Sequence, residues 1–280
     1  MSNSIVAASV AEKIASLSDW IAHHVSPFPE NHTHWAPGGF GPEFELSPYF
    51  PAPSVMMVLV TLLILFIFGI LYKKKELAPS GFIANFFEPI VLFVRDEIAV
   101  KNMGEKDGNA WASFFCNIFF FIAGCNLMGL IPGNATATGT FYVTGALAVV
   151  TLLCITIGTI IKYGPVQFFK GFMPDGVPGW VLLLLTPLEM FGVLVKCFSL
   201  MIRLFANMMA GHIVLFSILG LVYVFGAIAV PAFFIGVGIF ALEIFVALLQ
   251  AYLFTYLSAL FIGEMFHHAH GHHEHDEHAH

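Results

Sequence analysis

Long apolar runs separated by short polar segments dominate the pattern of this chain. The first run extends from Val55 to Leu71 and stops at three consecutive lysines. As a helix it is just long enough to cross a hydrocarbon core of about 30 Å. Two further runs, residues 111–131 and 141–161, carry no charged side chain. The pattern therefore predicts ordinary membrane-spanning helices near residues 55–72, 111–131 and 141–161.

The last third of the chain contains two apolar segments, residues 179–223 and 231–264, of which the first is too long for an ordinary span. As a single helix it would be about 66 Å long, twice what a membrane needs. Two shorter spans would also account for this length, but no proline and no polar cluster interrupts residues 188–222. We therefore predict a hairpin of two long, strongly tilted helices, with a bend near Gly211 and a turn near residues 226–231.

The segments outside these runs have other patterns. Apolar residues recur at helical spacing within residues 5–21, which predicts a short amphipathic helix at a membrane surface. Residues 82–101 combine apolar pairs with charged side chains and predict an interfacial helix. Residues 23–53 are rich in Pro, Gly and His, and we expect them to be irregular. The predicted division is an N-terminal external segment, 1–53, a membrane domain, 54–265, and a His-rich tail, 266–280.

The composition assigns the chain to the integral membrane proteins. Of its 280 residues, 58% are hydrophobic and 10% are charged, whereas a soluble domain carries about 25% charged residues. One soluble core cannot bury so much apolar surface, which excludes a conventional soluble enzyme, a disordered chain and a disulfide scaffold. The 11 Lys and Arg residues form no basic stripe for nucleic acid. The four cysteines lie in apolar runs with no disulfide or zinc spacing. We expect no cofactor, and no metal site is assigned.

The distribution of basic residues predicts the orientation of the helices. Segments rich in Lys and Arg usually face the cytoplasm. Eight of them fall on one side of the predicted spans: Lys73, Lys74, Lys75, Arg95, Lys101, Lys106, Lys162 and Lys170. The opposite side carries only Lys13. We therefore predict an all-α polytopic protein with five membrane crossings, its N-terminus outside and its C-terminus in the cytoplasm.

Titratable residues inside the last two helices are the candidate functional groups. A charged side chain at the centre of a membrane helix costs about 2.5–3.5 kcal/mol on insertion scales, so a functional role is the first interpretation. Glu189, Lys196 and Arg203 recur every seven residues, and Asn207 follows Arg203 by four. This spacing places the four residues on one face, which we call the first polar stripe.

The partner helix carries a second polar stripe, Glu243 and Gln250, which are seven residues apart. The predicted hairpin brings Glu243 to the depth of His212 near the outer face, whereas Glu189 lies near the inner face. Arg203 lies between them, about 13 Å along the helix from His212. Because arginine does not lose its proton in proteins, it can separate an outer proton path from an inner one.

The sequence around Arg203 resembles a known signature. The run Leu200-Met-Ile-Arg203-Leu-Phe-Ala-Asn207-Met-Met-Ala-Gly211-His212 is similar to that of subunit a of the F-type ATP synthase. Four other segments resemble the family in the same order: Phe87-Glu-Pro89, Asn126-Leu-Met-Gly-Leu-Ile-Pro132, Pro187-Leu-Glu189 and Leu249-Gln250-Ala251. The resemblance as a whole extends from about residue 40 to residue 265, in the order of the family.

This resemblance implies a proton-translocating stator subunit with no catalytic site of its own. The arginine of the family, here Arg203, faces a carboxylate on each c subunit as the c-ring turns, and it keeps protons from passing directly between two half-channels. Four residues match outer half-channel positions: Asn207, His212, Glu243 and Gln250. Glu189 and Ser199 match inner positions. Some relatives exchange the histidine and the acid, which implies that His212 and Glu243 lie in contact.

The resemblance also implies partners and a location. The partners are the c-ring, the b subunits of the peripheral stalk, the remaining ATP synthase subunits and the lipid bilayer. The location is the inner membrane of a bacterium.

Other interpretations stay open from the sequence. A secondary metal-cation transporter could use the His-rich tail, but it needs paired ligands in the membrane, where His212 is the single histidine. A purely structural anchor would tolerate replacement of Arg203.

Some of the individual residues also have other interpretations. Asn207 and Gln250 could be interhelical hydrogen-bond partners worth about 1 kcal/mol each. Lys196 could extend to the interface or pair locally.

Overall fold

The computed structural model describes residues 12–16, 18, 34–35, 44–45, 52–72, 82–131, 136–170, 172–173, 179–225 and 230–277. Seven α-helices of six or more residues lie in these ranges: α1 (Ala52–Tyr72), α2 (Phe82–Phe93), α3 (Glu105–Gly129), α4 (Phe141–Tyr163), α5 (Pro165–Lys170), α6 (Gly179–Phe225) and α7 (Val230–Glu277). A π-helical segment, Val94–Val100, and a short helical turn, Lys101–Met103, extend α2. A 3₁₀ turn, Ala137–Gly139, precedes α4.

The predicted all-α membrane class is confirmed. Five of the described helices are long and apolar enough to cross a membrane: α1, α3, α4, α6 and α7. The first and second of the long helices, α6 and α7, contain 47 and 48 residues. Helix α6 is continuous through Pro187, so the uninterrupted apolar pattern forms one long helix rather than two short spans.

Two stretches differ from the sequence prediction. Residues 23–53, expected to be irregular, contain two short strands, β1 (His34–Trp35) and β2 (Phe44–Glu45), which pair antiparallel with His34 opposite Glu45. Helix α7 continues to Glu277, so the backbone of most of the predicted tail is helical. The apolar pattern of α7 stops where the histidines begin, so the sequence gave no indication that the helix continues through them.

Other predictions fall partly outside the described residues. Within the amphipathic segment 5–21, residues 12–16 and 18 are helical and exposed. The remainder of that segment, the lysines at 73–75 and the turn at 226–229 lie outside the described part of the chain.

The interfacial segment ends at a defined backbone feature. Gly104 has a φ of 81°, a left-handed conformation that glycine adopts without steric cost. It separates the helical turn before it from α3, whose first turn carries Glu105 and Asp107. Acidic residues near a helix N-terminus are stabilised by the helix dipole. This explains why α3 begins six residues before the apolar run on which the prediction was based.

The chain forms two compact units. The first unit comprises residues 1–60, 123–143 and 204–250, and the second comprises residues 61–122, 144–203 and 251–280. The core of the second unit includes Phe115, Ile155 and Phe266, with Val94 and Ile98 from the π-helical segment. Burial of these π-helical residues fixes the end of the interfacial segment against the core of its unit.

Ion pairs occur on the polar surface of the second unit. The Arg95 guanidinium donates hydrogen bonds to Asp96, at 2.7 Å and 3.2 Å, and these bonds lower the pKa of the Asp96 carboxyl. Lys101 donates to Glu97 at 3.0 Å, which raises the pKa of Lys101. All four side chains are largely solvated, so these pairs add little stability.

Candidate functional site

A cavity in the first unit brings three of the predicted site residues together. Its volume is about 330 Å³, and its lining includes Asn207 and His212 from α6 and Glu243 from α7. Leu130, just beyond α3, and apolar residues of α6 and α7 complete the walls. Apart from Asn207, His212 and Glu243, the lining is apolar, and the space admits several water molecules. The cavity can therefore hold water beside these three polar side chains.

The Glu243 carboxylate is the least satisfied group of this cavity. Both of its oxygens are buried and have no hydrogen-bond partner among the described residues. The carboxylate lies against the backbone of α6 at Gly211, where an added Cβ would be 2.7 Å from Oε1. A buried carboxylate without partners is unfavourable, so Glu243 needs a polar partner that the described residues of this chain do not supply.

His212 is held by a residue outside the motif. Its Nε2 lies 2.7 Å from the hydroxyl oxygen of Thr136, in the segment before the 3₁₀ turn. Its ring also stacks on Phe216, with 5.8 Å between the centroids. Since neither oxygen of Glu243 is hydrogen-bonded, His212 and Glu243 share a cavity but form no hydrogen bond. The contact implied by their exchange in relatives is therefore not a direct hydrogen bond here.

Gln250 does not line the cavity but is buried on α7, two turns beyond Glu243. Its Nε2 has no hydrogen-bond partner among the described residues. Between Gln250 and Glu243, the carbonyl of Ala247 accepts a hydrogen bond of 3.0 Å from the buried Asn126. This bond joins α3 to the turn of α7 that carries the second polar stripe.

The residues of the first polar stripe that belong to the second unit lie largely at its surface. Glu189, Ser199 and Arg203 are exposed side chains, and neither Glu189 nor Arg203 forms an ion pair with a described residue. Arg203 lies within a helix long and apolar enough to cross a membrane. A guanidinium at such a position requires a compensating partner. Among the described residues the chain provides none.

Unlike Arg203, Lys196 has an ion-pair partner within the second unit. Its Nζ donates a 2.8 Å hydrogen bond to Glu264 of α7 and lies 5.3 Å from the centroid of the Phe261 ring. Of the two alternatives left open for Lys196, neither named this partner, which lies on another helix 68 positions away. The available signal was that Glu264 continues the spacing of Glu243 and Gln250 by two further heptads.

Thr136 is the second residue that the sequence analysis missed. It lies in the uncharged loop before α4, where three threonines occur at alternate positions, 136, 138 and 140. This alternation is the available signal, but it does not show which threonine faces His212, 76 residues away.

In the described part of the chain, no group of three or more His, Cys, Asp or Glu side chains is arranged to hold a metal ion.

Comparison with known proteins gives consistent matches. A family model for the ATP synthase A chain matches residues 54–263. The ATP synthase subunit a of Myxococcus xanthus (strain DK1622) is 46% identical over 226 residues, 77% of this chain and 73% of that protein. The subunit a of Anaeromyxobacter sp. (strain Fw109-5) is 44% identical, and the match covers 77% of this chain but 54% of the relative. For ATP synthase subunit a 2 of Chlorobium luteolum (strain DSM 273 / BCRC 81028 / 2530), identity is 37% over 93% of this chain and 79% of the relative.

Proposed function

Because the chain belongs to the family of ATP synthase subunit a, we propose that it is the stationary proton-translocating subunit of the membrane sector. It forms two half-channels against a ring of c subunits and couples proton flow to rotation of that ring. The chemistry of ATP synthesis takes place elsewhere in the complex, so this subunit is non-catalytic. Besides the c-ring, its partners are the b subunits of the peripheral stalk and the remaining ATP synthase subunits.

The observation that carries this proposal is the state of Arg203. Its side chain is exposed and forms no ion pair with a described residue, although it lies within a helix able to cross a membrane. A negatively charged group on another subunit would compensate this charge. The carboxylate of a c subunit is such a group, and an arginine that cannot release its proton favours the ionised carboxylate at the moment it passes.

The outer half-channel is assigned to the residues of the first unit. Protons from outside reach the cavity of Asn207, His212 and Glu243, and Gln250 extends this set along α7. They are transferred to a c-subunit carboxylate, which becomes neutral and can enter the lipid. After the ring has turned, the proton leaves past Glu189, which is exposed. A membrane potential of 100 mV supplies about 2.3 kcal/mol per proton for this transfer.

The membrane location follows from the same reasoning. Five helices able to span a bilayer make the chain a multi-pass membrane protein, and the bacterial relatives favour the inner membrane. The excess of Lys and Arg on one side of the spans favours an external N-terminus and a cytoplasmic C-terminus.

The test uses inverted membrane vesicles that contain the whole ATP synthase with Arg203→Ala. ATP-driven acidification of the vesicles should be lost, while passive proton flow after removal of the catalytic head should persist or rise. The matched control is Arg95→Ala, because Arg95 is the other arginine of the chain and lies, partly exposed, outside the spans.

Both variants are first checked for normal assembly of the complex. Arg95→Ala should pump like the wild type. If Arg203→Ala also pumped normally, the proposal would be wrong and a structural anchor would be the better interpretation.

A further inference from the structure

Thr136 contacts His212, which lines the cavity of the first unit (the outer cavity), from a segment that belongs to none of the long helices. Its hydroxyl oxygen lies 2.7 Å from Nε2 of His212. This is the one hydrogen bond of the His212 ring to a described residue that the structure defines. The orientation of the imidazole relative to Glu243, which lines the same cavity, therefore depends on the position of Thr136.

The segment that carries Thr136 is firmly anchored. Two residues further on, Thr138 is fully buried, and its hydroxyl donates a 2.6 Å hydrogen bond to Oδ1 of Asn126. Asn126 in turn donates to the carbonyl of Ala247 on α7. The hydroxyl of Thr140, also buried, donates to the carbonyl of Ala137 at 2.7 Å and closes the turn. The segment thus connects α6, through His212, with α7, through Ala247.

The packing around Thr136 leaves little freedom to its side chain. An added Cβ at Gly129 would lie 2.9 Å from Cγ2 of Thr136, so the glycine permits the threonine to approach α3 closely. The Thr136 hydroxyl is also 3.4 Å from the carbonyl oxygen of Gly129, to which it can donate its single hydrogen. When it does so, its lone pairs remain free to accept a hydrogen bond from Nε2–H of His212.

We propose that Thr136 is a positioning residue of the outer proton path, which holds the His212 imidazole toward the cavity shared with Glu243. The inference rests on the proposed function of the subunit. Thr136 does not carry the proton in this account. Its hydroxyl fixes the orientation of the ring through the 2.7 Å contact with Nε2.

The test compares two substitutions that separate the hydroxyl from the shape of the side chain. Thr136→Val removes the hydroxyl and keeps the volume, whereas Thr136→Ser keeps the hydroxyl and removes a methyl group. Proton flow through vesicles stripped of the catalytic head is the readout. We expect Thr136→Val to reduce it about tenfold, the order of effect of one lost hydrogen bond to a buried polar group. Thr136→Ser should stay within about twofold of the wild type.

A matched control is Thr151→Val in the span α4. Thr151 is fully buried like Thr138, and its hydroxyl bonds only to its own helix, at Leu147, among the described residues. This variant should leave proton flow unchanged. A loss in Thr136→Ser equal to that in Thr136→Val would assign the effect to packing and overturn the proposal.

Two further variants distinguish failure of this inference from failure of the proposed function. In a His212→Ala background, Thr136→Val should cause no additional loss, because the residue acts through His212. An additional loss of full size would overturn the proposal. Arg203→Ala is measured in parallel in vesicles that retain the catalytic head: if it abolishes ATP-driven pumping there while Thr136→Val conducts protons like the wild type, the inference alone is wrong.

Discussion

The close approach of Glu243 to α6 predicts that Gly211→Ala impairs proton flow. A Cβ at position 211 would lie 2.7 Å from Oε1, 3.2 Å from Cδ and 3.4 Å from Cγ of Glu243. Restoring an ordinary contact of 3.4 Å requires the carboxylate to move by about 0.7 Å. Misplacement of a reacting group by about 1 Å can cost about a hundredfold in rate. For this smaller shift we expect a reduction of roughly tenfold.

The helix itself should not suffer from this substitution. Alanine is about 1 kcal/mol more favourable than glycine within a helix, so Gly211→Ala stabilises α6 locally and any loss must come from the displaced carboxylate. The controls are Gly192→Ala on α6 and Gly238→Ala on α7, because an added Cβ meets no atom within 4 Å at either position. Both should assemble and conduct protons normally.

The assay is passive proton flow into vesicles stripped of the catalytic head, followed with a pH-sensitive dye after a potential is imposed. A second-site variant sharpens it: in the Gly211→Ala background, Glu243→Asp shortens the acid by one methylene, which should restore part of the flow. Wild-type flow in Gly211→Ala would refute the assigned position of Glu243. Equal losses in the two glycine controls would refute the specific role of the contact.

Two further predictions concern the hydrogen bonds of Asn126 and the ion pair between Lys196 and Glu264. Asn126→Leu removes the bonds to Thr138 and Ala247 and should destabilise the assembled subunit by about 2–4 kcal/mol, as two bonds at about 1–2 kcal/mol each. The measurement is the thermal denaturation midpoint of the complex in detergent, and an unchanged midpoint would contradict it. The Lys196–Glu264 pair is partly exposed, so Lys196→Met and Glu264→Gln should each change ATP-driven pumping by less than about fivefold. A complete loss of pumping in either variant would show that the pair belongs to the proton path.

The long helices and their polar stripes could be predicted because both depend on local periodicity. A membrane helix satisfies its own backbone hydrogen bonds, so a continuous apolar run is sufficient to predict it. The seven-residue spacing of Glu189, Lys196 and Arg203 then fixes their common face without knowledge of any neighbour. The placement of Asn207, His212 and Glu243 around one cavity follows from the same regularity on two paired helices.

The partners of these residues could not be predicted, because they come from distant parts of the chain. Thr136 lies in a loop, where no periodicity indicates direction, and its contact with His212 spans 76 positions. The pairing of Lys196 with Glu264 spans 68 positions and depends on how α7 packs within the second unit. The short β1–β2 pair escaped detection because two-residue strands have no alternation pattern.

The exposure of the site residues suits different origins for the two proposed half-channels. His212, Glu243 and Asn207 line a cavity whose walls belong to this chain, so the proposed outer path would be shaped largely by the subunit's own packing. Glu189 and Arg203 are exposed, so the proposed inner path would need a second surface to complete it. We expect substitutions of packing residues around the outer cavity, such as Gly211 and Thr136, to alter proton flow although neither residue titrates. Equivalent changes beside Glu189 should matter only where the c-ring contacts the subunit, because there the second wall belongs to the partner.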